Sequence, residues 1–180
     1  MENNVPSEQE LLESARKFDH QALARVYDLY SPGLYRYAMR SLSEPDRAEE
    51  CVAETFSRFL QAMRNGKGPR EYLMAYLYQI AHNWIVDQYR RIPDVEQLEE
   101  DTADPSQNIE TEVETRLSDE RLRAAIHKLT AEQQQVIVMK YMEDLDNQEI
   151  ARILRKPIGA IKSLQHRALA SLQRILQEKQ

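Results

Sequence analysis

Three groups of side chains in this sequence could do chemistry: the histidines, a set of carboxylates in one segment, and cations near the C-terminus. The four histidines (His20, His82, His127 and His166) are scattered and are not paired with the single cysteine at zinc-ligand spacing. The sequence also lacks a glycine-rich phosphate loop and a Gly-x-Ser-x-Gly motif. We therefore predict that the protein is not an enzyme and that it needs no metal and no cofactor.

The carboxylates lie in the segment 46–63, which has helical periodicity. Glu49, Glu50 and Glu54 follow Asp46, while apolar residues recur on another face of the same helix. Three carboxylates could bind a metal ion, but a helix surface that faces solvent or a partner is much commoner. The pattern therefore favours a solvated or partner-facing surface.

The cations lie around the last predicted helix and the corner Pro157-Ile158-Gly159 before it. Its apolar face consists of Ile161, Leu164, Ala168 and Leu172. The polar residues that lie mostly away from that face are Lys162, Ser163, His166 and Arg167, with Arg155 and Lys156 at the corner. A short helix, a tight corner and a polar second helix have the geometry that enters a DNA major groove. An ordinary amphipathic helix with solvated cations is the alternative.

Charge is distributed unevenly along the 180 residues, whose formal net charge is −6. Residues 93–120 hold one basic and eleven acidic residues, and residues 121–180 hold eleven basic and six acidic ones. The C-terminal third is therefore basic although the whole chain is acidic. The only cysteine, Cys51, cannot form an internal disulfide, and neither a secretory signal nor an apolar run of membrane-spanning length occurs in the sequence. We expect a cytoplasmic protein that is not inserted in a membrane.

The element pattern predicts an all-α fold of two small helical domains joined by a flexible acidic linker, the C-terminal domain being a helix-turn-helix. The predicted boundaries are 1–92 for the first domain, 93–117 for the linker and 118–180 for the second domain. Capping pairs Ser7/Glu10, Asp46/Glu49, Thr130/Gln133 and Asp146/Glu149, with Asp19 as a further cap, mark helix starts. Pro32-Gly33 is expected to kink or break the second helix, and the last helix of the first domain is predicted over 70–91.

Two parts of the chain resemble the extracytoplasmic-function (ECF) group of bacterial RNA polymerase sigma factors. The C-terminal segment "LTAEQQQVIVMKYMEDLDNQEIARILRKPIGAIKSLQHRAL" is similar to the group's second domain. The segments "DRAEECVAETF" and "AYLYQIAHNWIVDQYRR" are similar to the two most recognisable stretches of its first domain. The resemblance covers about residues 8–92 and 117–176 and keeps the order of the motifs.

The resemblance implies a factor that binds core RNA polymerase and directs promoter recognition, DNA melting and transcription initiation. Core polymerase would be bound by Asp46, Glu49, Glu50 and Glu54. The minus-ten element would be read by Tyr72, Tyr76, Asn83, Arg90 and Arg91, with the loop 65–69 beside them. The minus-thirty-five element would be bound by Arg155, Lys156, Lys162, Ser163, His166 and Arg167. Promoter DNA and an anti-sigma factor are the further partners that the resemblance implies.

The sequence departs from the group's pattern at several positions. Arg155 and Asp144 stand where the group has glycine, and Ala160, Leu164 and Gln165 differ in the last helix. Ala53 replaces a glutamine and Tyr76 a tryptophan. The promoter sequence is therefore not predicted. Two other functions stay open, a DNA-binding regulator that acts without polymerase and a sigma-like protein that titrates an anti-sigma factor.

Overall fold

The computed structural model describes residues 7–91 and 120–177, and the predicted all-α fold is confirmed for them. The N-terminal helices are α1 (Glu8–Arg16), α2 (His20–Leu42), α3 (Pro45–Arg64) and α4 (Leu73–Arg91). The C-terminal helices are α5 (Glu120–Ile126), α6 (Ala131–Ile137), a π-helix (Val138–Met142), α7 (Asn147–Leu154) and α8 (Ile158–Gln177). The chain divides into two compact units between Ile85 and Val86, within α4. The predicted linker, 93–117, lies outside the described residues.

Most of the predicted helix starts are confirmed by their capping bonds. Complete capping boxes begin α1, α6 and α7, and the Asp19 side chain accepts from the Ala22 amide at the start of α2. The predicted Asp46/Glu49 box is wrong, because α3 begins at Pro45 with Glu44 at its N-cap and no side-chain capping bond. Proline suits the first helical position since its missing N–H would have had no intrahelical partner.

Helix α2 runs through Pro32 for 23 residues, so the helix is not broken there. Buried residues lie on both sides of the proline, with Val26 before it and Leu34 and Tyr37 after it. This apolar stripe packs mainly on α3. Packing of the stripe stabilises the helix against the hydrogen bond lost at proline.

Aromatic side chains connect α2, α3 and α4 in the first unit. The rings of Tyr37 and Tyr78 lie 5.5 Å apart, and those of Phe59 and Tyr76 lie 6.4 Å apart. Two large side chains of this unit are only partly covered, since Tyr27 is 49% exposed and Leu60 is 38% exposed. Helical periodicity gives the apolar side of a helix but not the width that its neighbours cover.

Helix α8 is central in the second unit, where α5, α6 and α7 pack against it. After Ile137 the chain changes from the α-helix α6 to a π-helix that begins at Val138. Asp144, which follows it, has a φ of 55°, in the left-handed region that glycine adopts most easily. The family glycine at this position therefore corresponds to a real conformational requirement of the turn.

Candidate nucleic-acid and polymerase interfaces

Helices α7 and α8 form the predicted helix-turn-helix, and Arg155 lies at the corner between them. Arg155 follows the last residue of α7 in a left-handed conformation, with a φ of 53° and a ψ of 41°. Its amide donates to the Arg152 carbonyl, and the next amide, that of Lys156, donates to the Ala151 carbonyl. These two bonds make a Schellman helix end, a place in which glycine is generally the favoured residue.

The four polar residues predicted to face DNA from α8 differ in exposure. Lys162 and Ser163 are exposed, whereas His166 and Arg167 are half-buried. The Ser163 hydroxyl donates to the Gly159 carbonyl over 3.0 Å. The Nε2 atom of His166 is shielded from solvent and has no hydrogen-bond partner in the described chain. Lys162 is therefore the most accessible of the four as a base-reading side chain.

Lys156, predicted to hold a phosphate, already has an acidic partner. Its Nζ lies 3.1 Å from Oε1 of Glu132, at the start of α6. Both side chains are more than one-third exposed, so solvent screens the pair and its net contribution to stability is small. A phosphate that approaches Lys156 would therefore have to displace a carboxylate.

One contact inside the helix-turn-helix was not predicted from the sequence. The side-chain amide of Gln165 donates to the side-chain oxygen of Asn147 over 2.8 Å and so joins α8 to α7. Gln165 is only 7% exposed. The sequence signal was present, because Gln165 stands where the family has an apolar residue, and a buried polar side chain needs a partner.

The residues predicted to bind the minus-ten element lie along α4 and just before it. Tyr72 is 52% exposed, and Asn83, Arg90 and Arg91 are also exposed. Tyr76 is half-buried, and its ring packs at an edge-on angle near Phe59. Tyr76 therefore helps to pack α4 on α3, and Tyr72 is the more accessible ring for stacking on a base.

The predicted acidic face of α3 is accessible to a partner. Asp46, Glu49 and Glu50 are exposed, and Glu54 is half-buried. Oε1 of Glu54 lies 2.6 Å from Nε of Arg58 one turn later, so part of its charge is locally compensated. Glu50 is therefore the better single probe of this face.

A groove between α2 and α3 adjoins this face and was not predicted. It has a volume of about 550 Å³, and its walls include Tyr27, Tyr35, Arg36, Glu49 and Val52. The groove walls include Tyr27, whose side chain is 49% exposed. The face thus presents apolar surface next to carboxylates, a combination typical of protein–protein contacts.

Two negative findings apply to residues 7–91 and 120–177. No three His, Cys, Asp or Glu side chains in these ranges come together as a metal site would require. None of the helices described there is long and apolar enough to cross a membrane.

Family models match both parts of the chain in the order that the motifs indicated. The model for sigma-70 region 2 matches residues 26–92, and the model for sigma-70 region 4 matches residues 119–172. The chain is 30% identical over 155 residues to the ECF RNA polymerase sigma factor SigL of Mycobacterium tuberculosis, covering 85% of this chain and 88% of SigL. The chain therefore belongs to the ECF group of RNA polymerase sigma factors.

Other relatives agree with this assignment. The ECF sigma factor BldN of Streptomyces coelicolor is 31% identical over 173 residues, which are 93% of this chain but 65% of the length of BldN. The ECF sigma factor SigW of Bacillus subtilis is 27% identical over 180 residues, covering 93% of this chain and 95% of SigW.

Two solved structures share the fold. CnrH, in complex with the cytosolic domain of CnrY, matches with a TM-score of 0.73 and 20% identity, covering 96% of this chain and 99% of CnrH. The sigma factor RpoE, in complex with the anti-sigma factor NepR from Bartonella quintana, matches with a TM-score of 0.60 and 24% identity, covering 90% and 98% of the two chains.

Proposed function

We propose that this sigma factor binds core RNA polymerase, directs it to promoters and opens the DNA there. Helix α8 reads the minus-thirty-five element, and α4 with the loop before it reads and opens the minus-ten element. The observation that carries the proposal is the presence of both sigma-70 regions in one chain, residues 26–92 and 119–172. A regulator that acted without polymerase would need only the second region.

The proposed DNA contacts use the side chains that are accessible. Lys162 on α8 suits a guanine edge or a phosphate, and Tyr72 and Asn83 suit a flipped or unstacked base. Arg90 and Arg91 at the end of α4 supply exposed positive charge for the phosphate backbone. The acidic face of α3 would bind a basic surface of polymerase, with the groove beside it receiving an apolar side chain.

Reconstitution with core RNA polymerase tests this function. The full chain and core polymerase are mixed with a fragmented genomic DNA library, and the 5′ ends of the transcripts are sequenced. Start sites that share two upstream elements and require the chain support the proposal. DNA binding without transcripts would identify a polymerase-independent regulator, and neither binding nor transcripts would favour a sigma-like titrator.

We also propose that an anti-sigma factor regulates the chain. RpoE and CnrH, which share its fold, were solved in complexes, RpoE with the anti-sigma factor NepR and CnrH with the cytosolic domain of CnrY. The test is to capture proteins from the source cells on this chain. A captured protein that blocks transcription in the reconstituted reaction, and is displaced by core polymerase, would support this partner. Capture that leaves transcription unchanged would contradict it.

A further inference from the structure

The loop between α3 and α4, residues 65–72, has a defined path that begins at a Schellman helix end. The Gly66 amide donates to the Met63 carbonyl and the Lys67 amide donates to the Ala62 carbonyl. Gly66 has a φ of 68°, which a residue with a Cβ rarely adopts. The first half of the loop is thus fixed by the end of α3.

Gly68 brings the middle of the loop down onto the core. A Cβ at this position would collide with the sulfur of Met63, which is 5% exposed. The absence of a side chain at Gly68 is therefore what allows the backbone to lie against the buried end of α3. The same stretch is also held by an arginine that is distant in sequence.

That arginine is Arg16, the last residue of α1. Its Nη1 donates to the Pro69 carbonyl over 3.0 Å and lies 3.4 Å from the Gly68 carbonyl oxygen. A guanidinium that donates to two successive carbonyls fixes the backbone rather than any side chain of the loop. The contact spans more than 50 residues of sequence, so it cannot arise from local chain geometry.

The other end of α1 holds the end of the same loop. Oε1 of Glu8 accepts from the Leu73 amide over 2.9 Å, at the first residue of α4. The other carboxylate oxygen, Oε2, accepts from the Tyr30 hydroxyl over 3.1 Å. A carboxylate that caps a helix N-terminus is favoured by the free amides there and by the helix dipole.

The residue between these two contacts has a strained backbone. Tyr72 has a φ of 56°, a left-handed conformation that is unfavourable for an aromatic residue, and its side chain is 52% exposed. Such a conformation persists only where surrounding contacts determine it, and it is typical of functional positions. Here the amide that follows Tyr72 is the one that Glu8 binds.

We propose that α1 positions the 65–72 loop for minus-ten recognition, with Arg16 and Glu8 as positioning residues that do not touch DNA. Arg16 fixes the position of the loop backbone at Gly68 and Pro69. Glu8 fixes the strained turn at Tyr72, whose side chain is exposed. This inference rests on the proposed function, because it assumes that the loop and the start of α4 meet the minus-ten element.

The first arm of the test uses the free full-length chain and measures loop opening. Trypsin cleavage at the Lys67–Gly68 bond is followed by mass spectrometry, with the Arg155–Lys156 bond as an internal reference. R16A and E8A should be cleaved roughly five-fold faster at Lys67, as expected for loss of one hydrogen bond that limits local opening. R16K and E8Q, which keep a donor and an acceptor, should be cleaved at nearly the wild-type rate.

The matched controls are E13A on the same helix and K17A at the residue that follows it. Both residues are exposed, so their removal changes the local charge by the same amount without removing a loop contact. Two results would show that these contacts do not hold the loop. One is a cleavage rate at Lys67 that rises equally in the controls, and the other is a wild-type rate in R16A and E8A.

The second arm measures promoter choice with core polymerase on a library randomised in the minus-ten element and fixed upstream. R16A and E8A should reduce discrimination against single mismatches roughly five-fold, the loss that one local contact can transmit. Core-polymerase affinity and upstream-element preference should stay at wild-type values. R16K and E8Q should restore discrimination.

The outcomes separate the inference from the function on which it rests. Faster cleavage with unchanged minus-ten discrimination would overturn the positioning role while the proposed function stands. A wild-type chain that gives no promoter-dependent transcripts would overturn the proposed function, and the positioning role with it. Lost core-polymerase affinity in R16A and E8A, absent from K17A and E13A, would show that α1 acts on polymerase binding instead.

Discussion

The side-chain amide of Gln165 and the side-chain oxygen of Asn147 form a 2.8 Å hydrogen bond that joins the two helices of the helix-turn-helix. The bond lies in a partly buried place, where an unpaired polar group is costly. The relative position of α7 and α8 therefore depends on a polar contact as well as on apolar packing.

A double-mutant cycle on this pair should show a coupling free energy of about 1 kcal/mol. The variants are Q165L, N147A and their combination, and urea denaturation gives the free energy of unfolding of each. Leucine fills the site but cannot donate, so Q165L leaves Asn147 without this partner, and the penalty should largely vanish in the N147A background. Strictly additive effects would show that the two side chains are energetically independent.

Replacement of Arg155 by glycine should stabilise the chain by about 0.5–1 kcal/mol, because the left-handed conformation is unfavourable for a residue with a Cβ. R155A keeps the Cβ and should give no such gain. Urea denaturation measures both. If R155A stabilises as much as R155G, the gain comes from removal of the arginine side chain and not from backbone strain.

E132Q should increase DNA affinity, because it removes the carboxylate that pairs with Lys156. K156A should lower affinity evenly over all sequences and reduce the salt slope by about one. The measurement is a fluorescence-anisotropy titration of upstream-element DNA at several salt concentrations. In a K156A background, E132Q should have little effect; an equal gain there would mean that Glu132 repels DNA directly.

Stability should fall as the solution is acidified, in part because of His127. Burial lowers the pKa of His127 below its ordinary value of 6.5, and its Nδ1 lies 3.3 Å from the side-chain amide nitrogen of Gln134. The stabilisation is complete above the unfolded pKa and is lost as the pH falls through the lowered folded pKa. Unfolding free energies of the wild type and H127Q should therefore converge or cross between pH 7.5 and 5.

E50K should weaken core-polymerase binding by about ten-fold, a loss typical of a charge reversal at the edge of a protein interface. Glu50 is exposed beside the groove-forming part of α3, so the folded structure should tolerate lysine, with unchanged helicity by circular dichroism. E13K, on the exposed side of α1, is the matched control. Equal affinities of E50K and the wild type for core polymerase would show that the acidic face does not bind polymerase.

Local sequence rules predicted the features whose causes lie within one or two helical turns. The boxes Ser7/Glu10 and Asp146/Glu149 were predicted because the partners are three residues apart and need no tertiary information. The exposure of Tyr27 and Leu60 was not predicted, because it depends on which neighbour covers each helix face. The contact between Glu8 and Leu73 joins residues 65 positions apart and has no local signature.

The candidate interfaces were likewise predicted only in part. The resemblance identified the corner at Arg155, and the structure gives the reason, since the backbone there is left-handed. Helical periodicity predicted that His166 faces outward together with Lys162, but His166 is half-buried. The 3.6-residue repeat places both on the polar side of α8 without showing how far the other helices extend over it.

The single cysteine of the chain makes it convenient for spectroscopy. Cys51 is fully buried in α3, and burial is the main cause that raises the pKa of its thiol to about 12. The thiolate is the form of cysteine that attacks a thiol-reactive dye, so the native protein should label poorly at Cys51. A cysteine introduced at exposed Lys67 would then carry the dye nearly alone, without a cysteine-free background. Such a probe would follow the 65–72 loop while DNA strands separate.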